Sequence, residues 1–416
     1  MDPATGGPCQ GIRYTIPAMS TLGFSNEVVC LDDPEADFLG RDPFPIHALG
    51  RGFSSLGYHP ALLSWLVANL ERFDAVIVHG IWQWTNIAVW LAVKNLLKRN
   101  RTSPPYFIMP HGMLDPWFQK TPGRRLKAAR NSLYWHLLQK RVIRNASALL
   151  FTSAEELALA RKTFMDYRPK REINVGYGVP QPPILEESMR EAFLVRCPDL
   201  PSDQPYLLFL GRIHPKKGVD FLIRAYAEVF GVQSQSVPAL VIAGPIDSDY
   251  AREMITLADS LMPGSVFSPN SSPDAPITDS PLPMNRPAIH FTGMLSGDEK
   301  WGALYGCEAF VLPSHQENFG VAVVEALACD RPALITNQVN IWREIEQEEA
   351  GLVGDDSLDG ICRLLVNWRL LRNSTPSHFD PIGCHQRNFS LKKHADRLSD
   401  AIYSEISTPH PREALA

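Results

Sequence analysis

The apolar run CEAFVLP (Cys307 to Pro313), followed at once by SHQENFGVAVVEALACDRP (Ser314 to Pro332), constrains this chain more than any other stretch. A short apolar run closed by a Pro predicts a strand buried on both faces, as in a parallel sheet. Gly320 opens the helix that follows, Glu325 sits on its second turn, and Glu317 lies in the loop between. The two carboxylates are eight residues apart, one before the helix and one projecting from it. Both can therefore face the crevice beyond the carboxyl end of the strand, where open α/β sheets bind ligands. The amides of Phe319, Gly320 and Val321 are unpaired at the helix start and favour an anion. A phosphate flanked by two hydroxyl acceptors describes a nucleoside diphosphate sugar. The same residues also fit a helix whose acidic groups merely complement its own dipole.

A second such unit stands upstream in PYLLFLGRIHPKKGVDFLIRAYAEV, Pro205 to Val229, with Arg212 and Lys217 in the loop between strand and amphipathic helix. A guanidinium and an ammonium beside a diphosphate can neutralise charge that builds on a leaving group. Basic residues in a surface loop are also commonly just solvated. The two stretches together resemble the C-terminal domain of retaining glycosyltransferases of family 4 (glycosyl transferases group 1). That resemblance implies an α/β GT-B protein: two Rossmann-like, doubly wound parallel-sheet domains facing across a cleft. It adds Gly211 and Asn318 to the donor-binding residues Phe319, Gly320, Val321 and Glu325.

Length and composition agree with two soluble domains. The 416 residues exceed what one core usually fills, and 45 % hydrophobic with 20 % charged residues is ordinary for a globular protein. The net charge of -5 argues against a nucleic-acid binder by bulk charge. Seven scattered cysteines without a Cys-x-x-Cys indicate a reducing compartment and neither disulfides nor zinc. No apolar run reaches the roughly 18 residues of a membrane span, and no basic-then-apolar signal segment opens the chain. The expectation is a cytoplasmic protein.

In the first half, Gly6 and Gly7 precede a predicted helix over about 8 to 21, and EVVCL reads as a strand. In family 4 a Gly-Gly loop in this position lines the donor cleft, but follows an apolar strand that this sequence does not show, so the first strand reads as missing. A flexible tail is the other reading of these glycines. FDAVIVHG and PYFIMPHG each pair a strand (Ala75 to His79 in the first) with a loop and point to a parallel sheet. His111 should lie at the ligand edge, and the resemblance implies contact with the donor sugar near its reacting carbon. His79, also followed by Gly, is a second candidate. ASALLFTSAEELALAR reads as a strand and a helix capped by Ser153, with Glu156 in capping-box position.

From Trp117 to Ala154 there are eight Lys and Arg and no acidic residue, with Trp117, Phe118, Tyr134 and Trp135 interleaved. Segment 117–145 suits the surface of an anionic bilayer, where it would bring the enzyme to a lipid-linked acceptor; a solvated basic helix face fits equally. No nucleic-acid module accompanies it.

Pro180, Pro182 and Pro183 mark a boundary between domains at 1–180 and 181–389, and a terminal helix over about 390–408 is expected to cross back and complete the first. Residues 262 to 287, rich in Pro, Ser and Asn, read as an inserted surface loop. Asp247 to Asp249 imitates a metal-binding Asp-x-Asp, a reading set aside because in family 4 Arg and Lys replace the metal as counter-charge.

The resemblance implies a retaining, metal-independent transfer from a nucleoside diphosphate sugar to a glycan or lipid-linked acceptor, in surface polysaccharide or glycolipid synthesis, with no cofactor. His111, Arg212, Lys217 and Glu317 would carry the chemistry, and Glu325 would bind the ribose. An epimerase or phosphorylase of the same shape, or a sugar-nucleotide binder without turnover, would share these features.

Overall fold

The structure, a computed structural model, describes residues 1–3, 6–120, 125–231, 237–268, 287–372 and 378–406. It divides into two compact units, Pro180–Phe389 and Met1–Val179 joined by the segment from Ser390.

The first unit carries β1 (Val28–Cys30), β2 (Ile46–Ala48), β3 (Val76–His79), β4 (Tyr106–Met109), β5 (Ala148–Phe151) and β6 (Glu172–Asn174). Strands β1 and β2 pair with each other, and β3-β4-β5-β6 form a four-stranded parallel sheet in chain order. Alternation along β4 explains how both faces are covered. Tyr106 and Ile108 join a core with Leu66, Ala92, Leu96, Trp135, Val142 and Ile143. Phe107 and Met109 join a second core with Met19, Leu150, Ala395, Leu398 and Ile402. That second core is built by the helices Gly7–Ser20 and Leu391–Ile406, so the terminal helix belongs to this unit. His394 fastens it there, with one ring nitrogen 3.1 Å from the Val175 carbonyl and the other 3.1 Å from the Thr15 hydroxyl.

The second unit carries β7 (Tyr206–Leu210), β8 (Ala239–Ala243), β9 (Val266–Phe267), β10 (Ile289–Gly293), β11 (Ala309–Leu312), β12 (Ala333–Thr336) and β13 (Gly351–Gly354). All pairs are parallel, in the order β13-β12-β11-β7-β8-β10-β9. Most of β7 and all of β8, β11 and β12 are buried, as their unbroken apolar runs require. Leu207, Leu208 and Phe209 have no exposed surface, and each such side chain contributes about 1.5–3 kcal/mol over leaving it in water. The stretch 262–287 is less uniform than a plain loop, because Val266 and Phe267 form β9 against Ile289 and His290. Residues 269–286 of that stretch lie outside the described residues.

Chain order reverses between β7 and β11, which are direct neighbours: the chain leaves β7 toward β8 on one side and later returns to place β11 on the other. That is the topological switch point of a doubly wound sheet, where the loops after two adjacent strands diverge and open a crevice.

Candidate functional site

In the second unit, the loops after β7 and β11 are knitted together by backbone. Gly218 has φ +65°, and a Cβ there would sit 2.1 Å from the Pro313 carbonyl oxygen, so only glycine lets the chain turn this closely past the end of β11. The His315 amide donates to the Lys216 carbonyl at 2.9 Å. Gly244 is another forced glycine, since its Cβ would meet the Gly211 carbonyl oxygen at 2.0 Å. At Gly211 itself a Cβ would find only ordinary contact, so the close approach in this loop belongs to Gly218 and Gly244.

This packing delivers Lys217 to Glu317. The ammonium and the carboxylate form an ion pair, with side-chain exposures of 17 % and 18 %. Burial pushes the Glu317 carboxyl up, but the Lys217 charge and hydrogen bond, helped by Lys216 and the Asn318 amide, hold it below its usual range. The backbone of Glu317 is pinned as well: its amide donates to Gln338 and its carbonyl accepts from Asn340, both at 2.9 Å. Arg212 is exposed in the same loop as Lys217. The His214 ring, whose Nδ1 accepts from the Lys216 amide at 3.1 Å, is held below its ordinary pKa by burial and then by Arg212, Lys216 and Lys217. Three cations crowding one turn make it a place for an anion.

Gly320, at φ +78°, caps the helix Val321–Ala328. The Phe319 side chain is buried, its ring edge-on to Phe389 at 5.6 Å, so this residue offers a ligand its backbone and not its ring. The Asn318 side chain lies 3.5 Å from Asn340. Glu325 is 6 % exposed and accepts from Lys300 Nζ at 2.8 Å. Lys300 projects from the helix Gly297–Gly306 with its ammonium 4.1 Å from the Trp301 ring centre. Nothing local in the sequence announces that pair.

The first unit holds the histidines. His79 ends β3 and His111 follows β4, the neighbouring strand, so the two rings meet: Nδ1 of His79 is 2.9 Å from Nε2 of His111, and the rings stack with centres 5.2 Å apart. Burial, then the positive potential of His394, lowers His79 to about 4; His111 is pushed well below its ordinary value by burial, His79 and His394. Both rings are therefore neutral near pH 7, one nitrogen donating and the other accepting. His111 has φ +52° and Gly112 φ +78°. The buried Glu156 carboxylate fixes this turn by accepting from the Gly112 amide at 2.5 Å and from the Thr152 amide and hydroxyl at 2.7 and 2.6 Å. Ser153 caps its helix as expected, at 3.1 Å from the Glu156 amide. The Glu156 carboxylate, read as the other half of a capping box, instead holds the loops after β4 and β5.

Gly6 has φ +94° and caps the helix Gly7–Ser20; a Cβ at Gly6 or Gly7 would meet nothing within 4 Å. The Gly7 carbonyl accepts from the Tyr177 hydroxyl at 2.6 Å, and it is at Gly11 that a Cβ would meet Tyr177, 2.4 Å from its hydroxyl oxygen and 2.6 Å from its ring.

Two parallel-sheet units with a site at a switch point define a GT-B chain. The glycosyl transferase 4-like domain family matches residues 6–178, and the glycosyl transferases group 1 family matches residues 204–367. The chain thus belongs to the GT4-type glycosyltransferases of GT-B fold. It is 30 % identical over 153 residues to the D-inositol 3-phosphate glycosyltransferase of Rhodococcus opacus (strain B4), covering 35 % of this chain and 29 % of that protein. It is 26 % identical over 145 residues to the serotype-specific mannosyltransferase WbdA of Escherichia coli, covering 35 % of this chain and 15 % of WbdA. The matched segment is thus under a third of either relative's length. Among solved structures, sucrose-phosphate synthase from Thermosynechococcus elongatus aligns with TM-score 0.66 at 17 % identity, over 97 % of this chain and 94 % of that one. Anabaena Alr3699/HepE in complex with UDP and glucose aligns with TM-score 0.66 at 14 % identity, over 96 % of both chains. These two likenesses establish the fold. Among the described residues, no helix is long and apolar enough to cross a membrane.

Proposed function

We propose that the protein transfers a glycosyl group, with retention, from a nucleoside diphosphate sugar to a glycan or lipid-linked acceptor in surface polysaccharide or glycolipid synthesis, in the cytoplasm. The observation that carries this reading is the Lys217–Glu317 pair at the switch point of the second unit, with Arg212 in the same loop as Lys217. UDP and UDP-glucose complexes of the structural neighbour HepE support a donor of this class.

In this reading the chemistry needs counter-charge where a diphosphate departs. Arg212 and Lys217 supply it as fixed cations in place of a metal, with the amides of Phe319 to Val321. An ammonium has three donors, so Lys217 can keep Glu317 and still reach a phosphate oxygen; the pair holds the lysine ready. Glu317 has further lone pairs for sugar hydroxyls near the anomeric carbon. Glu325 likewise holds Lys300 through one oxygen and keeps capacity for ribose hydroxyls. On the family resemblance, neutral His111, oriented by His79 and the Glu156-anchored turn, is a residue for the donor sugar.

The test has two stages. UDP, GDP and ADP are screened for thermal stabilisation, since a ligand at a hundredfold its dissociation constant contributes about 2.7 kcal/mol. Transfer and donor hydrolysis are then followed in EDTA with sugars of the base that binds. Product with the anomeric configuration of the donor, formed in EDTA, supports the reading; no stabilisation by any diphosphate, or transfer that stops in EDTA, contradicts it.

A further inference from the structure

Helical residues 125–145 lie along the first unit, and their inner side explains how they are held. Trp135 is fully buried and its indole N–H donates to Asp166 at 2.6 Å; Lys140 reaches the same carboxylate at 3.1 Å; Val142 and Ile143 have no exposed surface. The outer side is different in kind. Leu126, Leu133 and Leu137 are 89 %, 62 % and 54 % exposed, three large apolar side chains left more than half in water. They fall four to seven residues apart, on one face. Arg125, Lys127, Arg130, Arg141 and Arg144 are exposed along the same length, and no Asp or Glu occurs between Trp117 and Ala154. At about 1.5 Å per residue this face runs on the order of 30 Å.

Folding does not account for leucines left in water beside five cations. The charge is also local, because the whole chain carries -5. A surface that offers negative charge and, just beneath it, an apolar layer satisfies both halves of the face. A nucleic acid would neutralise the cations and leave the leucines where they are.

We infer that the outer face of residues 125–144 docks on an anionic lipid bilayer, the leucines entering the acyl boundary and the Arg and Lys side chains lying among the headgroups. The helix lies in the surface plane and does not cross it. This goes beyond glycosyl transfer and does not depend on it.

The experiment is co-sedimentation of the full chain with vesicles of phosphatidylcholine, without or with roughly a third phosphatidylglycerol, at about 0.1 M salt. The wild type should pellet with the anionic vesicles and stay in solution with the neutral ones. Replacing Arg125, Lys127 and Arg130 by Gln should weaken binding about 100-fold, each cation contributing about fivefold. Replacing Leu126, Leu133 and Leu137 by Gln should weaken it roughly tenfold or more at unchanged charge. Both variants should keep the wild-type melting temperature and its stabilisation by nucleoside diphosphates, because every altered side chain is exposed. Wild type that stays in the supernatant with anionic vesicles overturns the proposal, as does a Leu-to-Gln variant that binds like wild type. So does binding of polyuridylic acid by wild type and Leu variant alike without vesicle binding. None of these outcomes bears on glycosyl transfer, and failure to transfer would leave vesicle binding intact.

Discussion

Lys217 and Glu317 meet across a hundred residues of chain, and each side chain of the pair keeps less than a fifth of its surface in water. Removing one partner leaves the other charge largely desolvated and without its ion-pair partner. Lys217→Met should therefore cost about 2–3 kcal/mol in urea denaturation, at the low end for a buried pair because some solvent remains. Lys217→Met/Glu317→Gln should cost less than the sum of the single changes; strict additivity would mean that the pair contributes nothing to stability.

The same pair sets an acid limit. Glu317 titrates below its ordinary range, so its stabilisation is complete above the unfolded carboxyl value of about 4.3 and is lost as pH falls through the lower folded value. Wild type should lose stability steeply below about pH 4.3, and Glu317→Gln should lose less over that interval. Parallel curves for the two proteins would refute the assignment.

The histidine pair behaves in the same sense at higher pH. His79 is lowered to about 4, so the unfolded chain binds protons more readily than the folded one below about 6.5. Stability from the neutral pair is complete above that pH and declines as pH falls toward 4. His79→Phe should flatten the decline and lower transfer at pH 7.5 by about tenfold through a misplaced His111, since small errors of position are costly. A variant with full activity and an unchanged pH curve would show the pair to be incidental.

Lys300 is the test of Glu325. Lys300→Met leaves a carboxylate that is 8 % exposed without its cation. Nucleoside diphosphate affinity by calorimetry should fall about tenfold, while Lys300→Arg should retain most of it. Equal affinity in Lys300→Met would remove Glu325 from the nucleotide site.

Gly218→Ala forces a Cβ into the Pro313 carbonyl at a positive φ. The two loops must part, at a cost of about 2–3 kcal/mol. Activity should drop with it, because Lys217 is the preceding residue; a variant as stable as wild type would mean the loops are not held as described.

Much of this was legible in the chain. Unbroken apolar runs at 206–210 and 309–312 gave buried parallel strands because burial on both faces removes any alternation. Glu317 and Lys217 stood out because each follows such a strand in a Gly-punctuated loop. What escaped depends on tertiary approach. Lys300 lies 25 residues before Glu325 on another helix, and no spacing rule links them. Gly211 came from the family resemblance, whereas the need for glycine at 218 and 244 comes from carbonyls elsewhere in the fold. Glu156 matched a capping box in spacing, but Gly112 and Thr152 compete for its carboxylate. Strand β2, only Ile46–Ala48, is too short to show a period.

In the proposed reading, fixed cations of the second unit grip a pyrophosphate. The direct measurement is calorimetric binding, in EDTA, of a nucleoside diphosphate and of its parent nucleoside to wild type and to Arg212→Met/Lys217→Met. Wild type should prefer the diphosphate by about a hundredfold or more, and the variant should lose most of that preference while binding the nucleoside as before. An undiminished preference in the variant would contradict the account.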